Sequence, residues 1–560
     1  MKGARDSGEV YFGRQKPEPS EWGGRLPVAL VFPGSMKIGL SSLGWQAVYR
    51  LLRSCPELAV ERFFLDRAPG PPFAFDTGRA LSDFPVIAFS LNFEEEYKAL
   101  VQTLDRADIP LRAKDRTGWP LVLAGGPLCF LNPEPIAPAI DLFWVGEAEA
   151  GLLDILAVCR EHVVSGAQKN DFLDRVKNAP GVYAPGKSAL SVRRAVHADA
   201  GRTLQTPTYS CFVSPEAEFR DMLLLEMNRG CGHGCRFCAA GYIYRPPRLA
   251  ELSRLRQIVE RVKPAKVGLV GTALTDHPGL LPFLTWLHSQ KIKFSLSSLR
   301  ADGLSFELLS FLRKTGTRSV TLALEGASAR LRRAMNKNLL ERDFLSAIQH
   351  ISALQFNHLK IYLIAGWPGE IDADYVELAL FLKKIQAAIS KGRGEKKKGI
   401  GHVTFSVSCL VPKPWTPFQW APMASEERLS QAISRIKDML KPLPGFRLKA
   451  EKPFSARLQG LIARGDERVF DLILLAAQKD SWKKALAAWE HDPASYLDQE
   501  RGKHEPFAWE CVDTGVSRDY LYQEWERYKS AKSSPACPAM RSPRGCGPCD
   551  VCGVGKWLQA

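Results

Sequence analysis

Cys231-Gly-His-Gly-Cys235-Arg-Phe-Cys238 decides how this 560-residue chain is read. Three cysteines at C-x3-C-x2-C spacing on one short loop can turn all their sulfurs onto a single iron–sulfur cube. A [4Fe–4S] cluster has four irons and normally takes four thiolates, so three local ligands leave one iron open for a small molecule. Gly230, Gly232 and Gly234 give the backbone the freedom such a wrap requires. A structural zinc loop is the competing use of these residues, but the spacing lacks a nearby fourth ligand.

Working outward, the loop follows the first of six strand candidates, at 223–227, 266–271, 294–299, 319–325, 359–365 and 403–410. Helical stretches at 252–262, 306–313 and 341–354 fall between them. This alternation predicts parallel β/α units. Six units make an open, partial barrel, with the cluster loop at the carboxyl-end rim where barrel sites form. Ser390-Lys-Gly-Arg-Gly-Glu-Lys-Lys-Lys-Gly399 reads as a solvated charged loop before the sixth strand.

A second alternating pattern precedes the barrel. Strands are predicted at 28–32, 60–65, 86–91, 121–124 and 142–145, with amphipathic helices at 40–52 and 94–104. This is a parallel, Rossmann-like sheet covered on both faces, whose ligands sit beyond the strands' carboxyl ends. Those ends carry small residues that let a bulky ligand approach the backbone: Phe32-Pro-Gly-Ser35, Ser90-Leu-Asn92, Gly125-Gly126-Pro127 and Gly146-Glu147-Ala-Glu149. Cys55, Cys129 and Cys159 read as small apolar packing residues. The expected organisation is therefore a loose arm (1–25), a Rossmann-like domain (26–165), a connector (166–220), the barrel (221–423) and a mainly helical region (424–560). The last region ends in Cys537-x8-Cys546-x2-Cys549-x2-Cys552. That run suits a ferredoxin-type auxiliary iron–sulfur cluster and equally tetrahedral zinc, with Cys511 as a spare ligand or a packing residue.

Composition narrows the setting. Apolar residues make up 45% and charged residues 24%, the balance of an ordinary globular chain. No apolar run is long enough for a membrane span, and Met1-Lys-Gly-Ala-Arg-Asp6 lacks the apolar core of a signal peptide, so a cytoplasmic protein is expected. There, 13 cysteines serve as thiols and metal ligands rather than disulfides. The net charge of +16 is uneven: residues 26–160 hold 12 Lys/Arg against 16 Asp/Glu, and residues 221–423 hold 29 against 15. A phosphate-rich partner such as RNA would suit the basic barrel.

The cluster motif, with an aromatic residue before its third cysteine, resembles that of the radical S-adenosylmethionine (SAM) superfamily. The resemblance implies an enzyme whose open iron binds the amino and carboxylate groups of SAM and whose reduced cluster, fed by a flavodoxin- or ferredoxin-type donor, cleaves SAM to a 5′-deoxyadenosyl radical. It also implies roles at successive strand ends. Gly271-Thr272 resembles the methionine-binding turn, without its usual acidic residue. Ser298 and Arg300 follow the third strand, where Arg300 is suited to fork onto the SAM carboxylate. Glu325 would accept from the ribose or amino group, and Gly366-Trp367-Pro368-Gly369 resembles the adenine-site motif. Phe237 would shield the cluster or touch adenine.

The N-terminal half resembles cobalamin-binding domains fused in front of radical SAM barrels, through Gly125-Gly126-Pro127 and Val145-Gly-Glu-Ala-Glu149. Of the D-x-H-x-x-G motif that often supplies cobalt's lower ligand, only Gly39 remains. The whole chain from about residue 22 is similar to B12-binding/radical SAM fusion proteins of unassigned substrate, a match that carries architecture but no reaction; the leading expectation is cobalamin-dependent methyl transfer. Two other readings remain open: methylthiotransferase-like RNA modification without cobalamin, and a non-catalytic iron–sulfur electron carrier or scaffold.

Overall fold

The structure is a computed structural model that describes residues 10–11, 21–65, 70–188, 191–197, 203–297, 299–395, 399–540, 542, 545–547 and 549–559. Most of the expected arm lies outside these residues. Its one described piece beyond Glu21 is the strand Val10–Tyr11, which pairs antiparallel with Phe212–Val213.

Leu26–Phe32 (β1) is buried at every position, the mark of a strand covered on both faces. The chain then forms Leu43–Ser54 (α1), Leu58–Phe64 (β2), Val86–Ser90 (β3), Glu96–Asp105 (α2), Leu121–Gly125 (β4), Leu142–Trp144 (β5), Leu152–Ser165 (α3) and Val182–Tyr183 (β6). The sheet order is β2-β1-β3-β4-β5-β6, parallel except for the antiparallel edge strand β6. The order reverses between β1 and β3, where a doubly wound sheet opens a crevice at its carboxyl ends. Cys129 and Cys159 are buried in its cores, as packing residues should be.

The barrel begins with Leu223–Glu226 (β7), Leu252–Val262 (α4), Lys266–Val270 (β8), Leu280–Ser289 (α5) and Lys293–Leu296 (β9). It continues through Phe306–Lys314 (α6), Ser319–Glu325 (β10), Glu341–Ala353 (α7), His358–Ala365 (β11), Asp372–Arg393 (α8) and His402–Cys409 (β12). Strands β7-β8-β9 form one parallel sheet, and a bridge between Leu299 and Leu322 carries the wall on to β10-β11-β12. Glu426–Leu440 (α9) then leads to a further parallel strand, Phe446–Ala450 (β13), on the edge of β12. This strand lies in the region expected to be mainly helical. Its sequence, FRLKA, alternates charge with apolar residues and stays half-buried or exposed, so no buried run advertises it. The expected charged loop is also corrected: α8 runs through Ser390 to Arg393, and residues 396–398 lie outside the described part.

Burial alternates along the later strands. In β11, Leu359, Ile361, Leu363 and Ala365 pack on the helices, while His358, Lys360, Tyr362 and Ile364 are half-buried on the other face. In register beside them stand Thr321 on β10 and Thr404 and Ser406 on β12. The inner wall of the open barrel is therefore polar.

The connector is stitched into the fold piece by piece. Val192–Arg193 pairs with Val512–Asp513, and Thr203–Leu204 pairs with Leu249–Ala250. The C-terminal helices Pro453–Arg464 (α10), Val469–Gln478 (α11) and Arg518–Lys529 (α12) pack back onto both halves. Asn132, for example, donates to the carbonyls of Ala463 and Gly465. One apolar core runs from a face of the first sheet (Ile87, Phe89) into the barrel (Leu225, Leu322), and the sheet's other face has its own core around Trp45. Among the described residues no helix is long and apolar enough to cross a membrane.

Candidate iron–sulfur site at the barrel rim

The cluster loop leaves β7 through Asn228, Arg229 and Gly230. The Asn228 amide donates to the Gly230 carbonyl (2.9 Å) and to the Thr272 hydroxyl (2.8 Å), and Thr272 donates to the same carbonyl (2.5 Å). Gly271 is pressed against Asn228: an added Cβ would lie 2.1 Å from its Oδ1. Gly271 and Thr272 thus hold the loop's entry in place. Gly230 and Gly234 have φ of +75° and +68°, which turn the loop back twice in a conformation glycine adopts freely. On the loop, His233 Nε2 lies 2.7 Å from Asp276.

Cys231, Cys235 and Cys238 are each half-buried and close enough to interact electrostatically. Burial pushes the Cys231 and Cys238 thiols up, to about 12 and about 11, and Cys235 beside them adds to the rise. Soft thiols drawn together on a partly dry loop are the donor set an iron–sulfur cluster takes, and binding iron draws off their protons. Among the described residues no three Cys, His, Asp or Glu side chains converge on one point as a single ion would need; a cubane takes its thiolates at the corners of a cage.

The C-terminal segment closes over this loop. Arg236 is fully buried and pairs with Glu524 of α12 at 2.9 Å. It also donates to the carbonyls of Ala334 and Lys532 and to the Ser534 hydroxyl. Asn336 bridges loop and tail, donating to the Gly234 carbonyl (3.2 Å) and accepting from the Ser534 N–H (2.8 Å). The Cys537 N–H donates to the Gly232 carbonyl (2.9 Å).

The residues expected to hold SAM divide. Phe237 meets Trp367 edge to face with ring centres 5.5 Å apart. Glu325 stands at a bulge of β10 with φ of +66°, an uncommon conformation for a side chain that favours a functional constraint. It accepts from the buried Lys337 at 3.3 Å. Arg300 is already forked onto Asp302, with contacts of 2.7 and 3.1 Å, so the expected SAM-carboxylate partner is engaged by a neighbour two residues on. Gly366 and Pro368 face a different cavity of about 740 Å³, lined also by Arg330, Tyr375, Arg435 and Trp525. Tyr528 donates to the Pro368 carbonyl (2.7 Å). Ser298 lies outside the described residues.

The expected cobalamin residues divide too. Ser90, Gly125, Gly126, Gly146 and Glu147 line a cavity of about 700 Å³ between α1, α3 and the sheet, and this cavity reaches Asn228, Arg229 and Gly230. Gly39 is not among its walls; it packs on Phe64, whose ring a Cβ would meet at 2.6 Å. At Gly126 and Gly146 the close approach is by protein: a Cβ would lie 2.3 Å from the Leu91 carbonyl oxygen and 2.1 Å from that of Ala195. Glu147 is bound to Arg248 and lies 2.9 Å from Arg229, so it braces the cavity rather than facing it as a free ligand. Burial raises its pKa, but Arg229 and Arg248 outweigh this and hold it at about 2.

Sequence reading missed Asn228, Asn336 and Lys337, and it did not place the amphipathic α1 on the cavity. Asn336-Lys337-Asn338, with both asparagines at positive φ, carried a turn signal that could have pointed to Lys337. Cys511 is not with the tail cysteines; it contacts Glu134 and Tyr183.

A thiol triad at the rim of a β/α barrel, its entry fixed by backbone and amide bonds, defines the class: an iron–sulfur barrel enzyme. Residues 225–382 match the radical SAM superfamily, and residues 44–185 match the family described as radical SAM proteins, N-terminal. The chain belongs to the radical SAM superfamily, and a [4Fe–4S] cluster and SAM are its cofactors. It is 30% identical over 449 residues to the uncharacterized protein MJ0966 of Methanocaldococcus jannaschii, covering 79% of this chain and 89% of that protein. It is 25% identical over 247 residues to the ribosomal protein uS12 methylthiotransferase RimO of Desulforudis audaxviator, covering 40% of this chain and 52% of that one. The radical SAM methyltransferase TsrM of Kitasatospora setae, solved with cobalamin and a [4Fe–4S] cluster, aligns with TM-score 0.49 at 13% identity, over 90% of this chain and 99% of that one.

Proposed function

We propose that this radical SAM enzyme uses cobalamin as a second cofactor and transfers a methyl group to a polar, anion-bearing substrate. The cavity of about 700 Å³ carries this reading, because it runs from the switch point of the first sheet to Gly230, next to the first cluster cysteine. Its depth is apolar, with Val28, Leu30, Ala88 and Leu123 on the sheet and Ala47 and Leu51 on α1. A large ligand with an apolar underside fits such a slot. When bound, the cluster supplies the electron that cleaves SAM, and cobalamin supplies the methyl group.

The chain's own residues do the rest. Asn228 and Thr272 fix the entry of the cluster loop, and Glu147 with Arg229 and Arg248 fixes the distance between sheet and loop. Arg236 and the C-terminal segment close the loop from the other side. Thr321, Lys360, Tyr362 and Ser406 on the inner wall favour a polar substrate, and Arg447 and Lys449 in register on β13 favour one with negative charge. A low-potential donor of the flavodoxin or ferredoxin type completes the cycle.

The test is anaerobic reconstitution of the full chain, with iron, cobalt and cobalamin absorbance measured per chain. Ala47→Trp, which fills the cavity from α1, should cut retained cobalamin at least tenfold and leave the cluster absorbance intact. A protein that takes up cluster and SAM but no cobalamin refutes this reading and favours methylthiotransferase-like chemistry without it.

A further inference from the structure

We propose that Cys537, Cys546, Cys549 and Cys552 hold a second [4Fe–4S] cluster, seated directly against the loop that carries the first. Three cysteines at C-x2-C-x2-C with a fourth at a distance form the run that wraps a cubane. Structural zinc is ordinarily held by separated pairs of ligands instead.

The backbone here is tightly folded, and it brings Cys537, Cys546 and Cys552 close enough to interact. Gly555 lies under the turn, so close that an added Cβ would sit 1.7 Å from the Cys549 carbonyl oxygen and 2.4 Å from that of Cys546. The Cys549 N–H donates to the Cys546 carbonyl (2.9 Å), and the Ser517 N–H, at the start of α12, donates to the Cys552 carbonyl (2.9 Å). Cys546 and Cys552 are buried, and the sulfurs of Cys537 and Cys546 are in hydrogen-bond contact.

A second observation is independent of the spacing. Arg245 is 2% exposed, with its guanidinium against the rings of Tyr242 (4.9 Å) and Tyr520 (5.5 Å) and its Nε donating to the Gly241 carbonyl. Among the described residues it has no carboxylate partner; the groups it faces are Tyr520, Cys552, Tyr242 and Cys537. A buried cation needs a counter-charge. Thiolates of Cys537 and Cys552 bound to iron supply one, and neutral thiols do not.

The location gives the site its purpose. Cys537 is hydrogen-bonded to Gly232, and Met540 lies where a Gly232 side chain would be, 2.1 Å from an added Cβ. A metal centre at the tail therefore locks the segment that closes over the first cluster. This inference stands apart from the cobalamin reading.

Iron, sulfide and zinc are counted in three anaerobically purified full-length proteins: wild type, the Cys231→Ala/Cys235→Ala/Cys238→Ala variant, and the Cys546→Ala/Cys549→Ala/Cys552→Ala variant. Two cubanes of four irons predict about eight, about four and about four irons per chain. The variant lacking the first triad should keep a reduced-cluster EPR signal that SAM does not perturb. About four irons in wild type with none in that variant, or one zinc per chain held by the tail, overturns the proposal. Should the tail triple variant fail to fold, Cys549→Ser in the background lacking the first triad is the decisive protein. It should lose or shift the remaining EPR signal, and an unchanged signal also overturns the proposal.

Discussion

Glu524→Gln tests whether the C-terminal segment is a clamp on the cluster loop. The Arg236 and Glu524 side chains are 0% and 2% exposed, so solvent does little to screen their attraction. Removing one charge of such a pair costs about 3–5 kcal/mol, because the other is left buried without compensation. Glutamine can still accept one bond, and Arg236 keeps Ala334, Lys532 and Ser534, which sets the expected loss near the low end, about 3 kcal/mol. Beyond the bonds that Arg236 keeps, the remaining ties are few: Asn336 and Asn338 to Ser534, Cys537 to Gly232 and Tyr528 to Pro368. The cost should therefore appear as local opening rather than global unfolding. About 3 kcal/mol corresponds to roughly a hundredfold more open population. Hydrogen exchange should speed up by that factor at the Cys537 amide, while the amides of β1 stay as in wild type. Iron loss to a chelator should rise in parallel. The Arg236→Met/Glu524→Met pair, which removes both charges, should recover much of the protection. Exchange at Cys537 within about threefold of wild type for Glu524→Gln would refute the clamp.

Two further outcomes follow from the first sheet. Glu147 has its pKa held at about 2 against an ordinary 4.5, so its stabilisation is full above pH 4.5 and is lost as pH falls toward 2. Urea unfolding from pH 6 to pH 3 should show wild type losing more stability than Glu147→Gln, by about 2 kcal/mol, and parallel curves would contradict the pairing. Gly126→Ala places a Cβ 2.3 Å from the Leu91 carbonyl at a φ of +109°; it should cost about 3 kcal/mol in the unfolding of the first sheet, whereas Gly44→Ala, with open space around it, should cost far less.

What could be read from the residues was whatever rests on local pattern. β1 through β5 are apolar runs between glycine- and proline-marked ends, and each stands within about two residues of its expected place. The triad announced itself because its ligands lie within eight residues of one another. What could not be read depends on approach across long separations. Arg300 offered itself as a carboxylate fork, and in the fold that fork is held by Asp302, two residues on. Arg248 and Glu147 are separated by 101 residues and meet only when the sheet docks on the barrel. The basic excess of the barrel also misleads as a guide to its field, since Arg236, Arg245, Arg248 and Arg332 are buried and serve the interior. Glycines after strands suggested ligand approach, yet Gly126 and Gly146 make room for Leu91 and Ala195. Absence of a side chain records close approach without saying by what.

The ion cluster between the two halves explains why the cavity keeps its width. Arg229, two residues before Cys231, reaches Glu226 at the end of β7 (2.8 Å), Glu149 (2.6 Å) and Glu147 (2.9 Å) beyond the end of β5, and Arg248 joins from the segment that pairs antiparallel with Asn228–Arg229. Buried charges like these give up hydration, and apolar residues of equal volume would often stabilise the fold as well or better. Their advantage is directional. A guanidinium fork fixes the carboxylates it holds in distance and plane, where apolar side chains would let the two surfaces slide. Arg229→Met should accordingly leave the chain folded while loosening the register between the strand ends of the first sheet and the cluster loop. A reaction that needs groups from both halves at one carbon is sensitive to a displacement of that kind, because misplacement by about 1 Å can cost a hundredfold in rate.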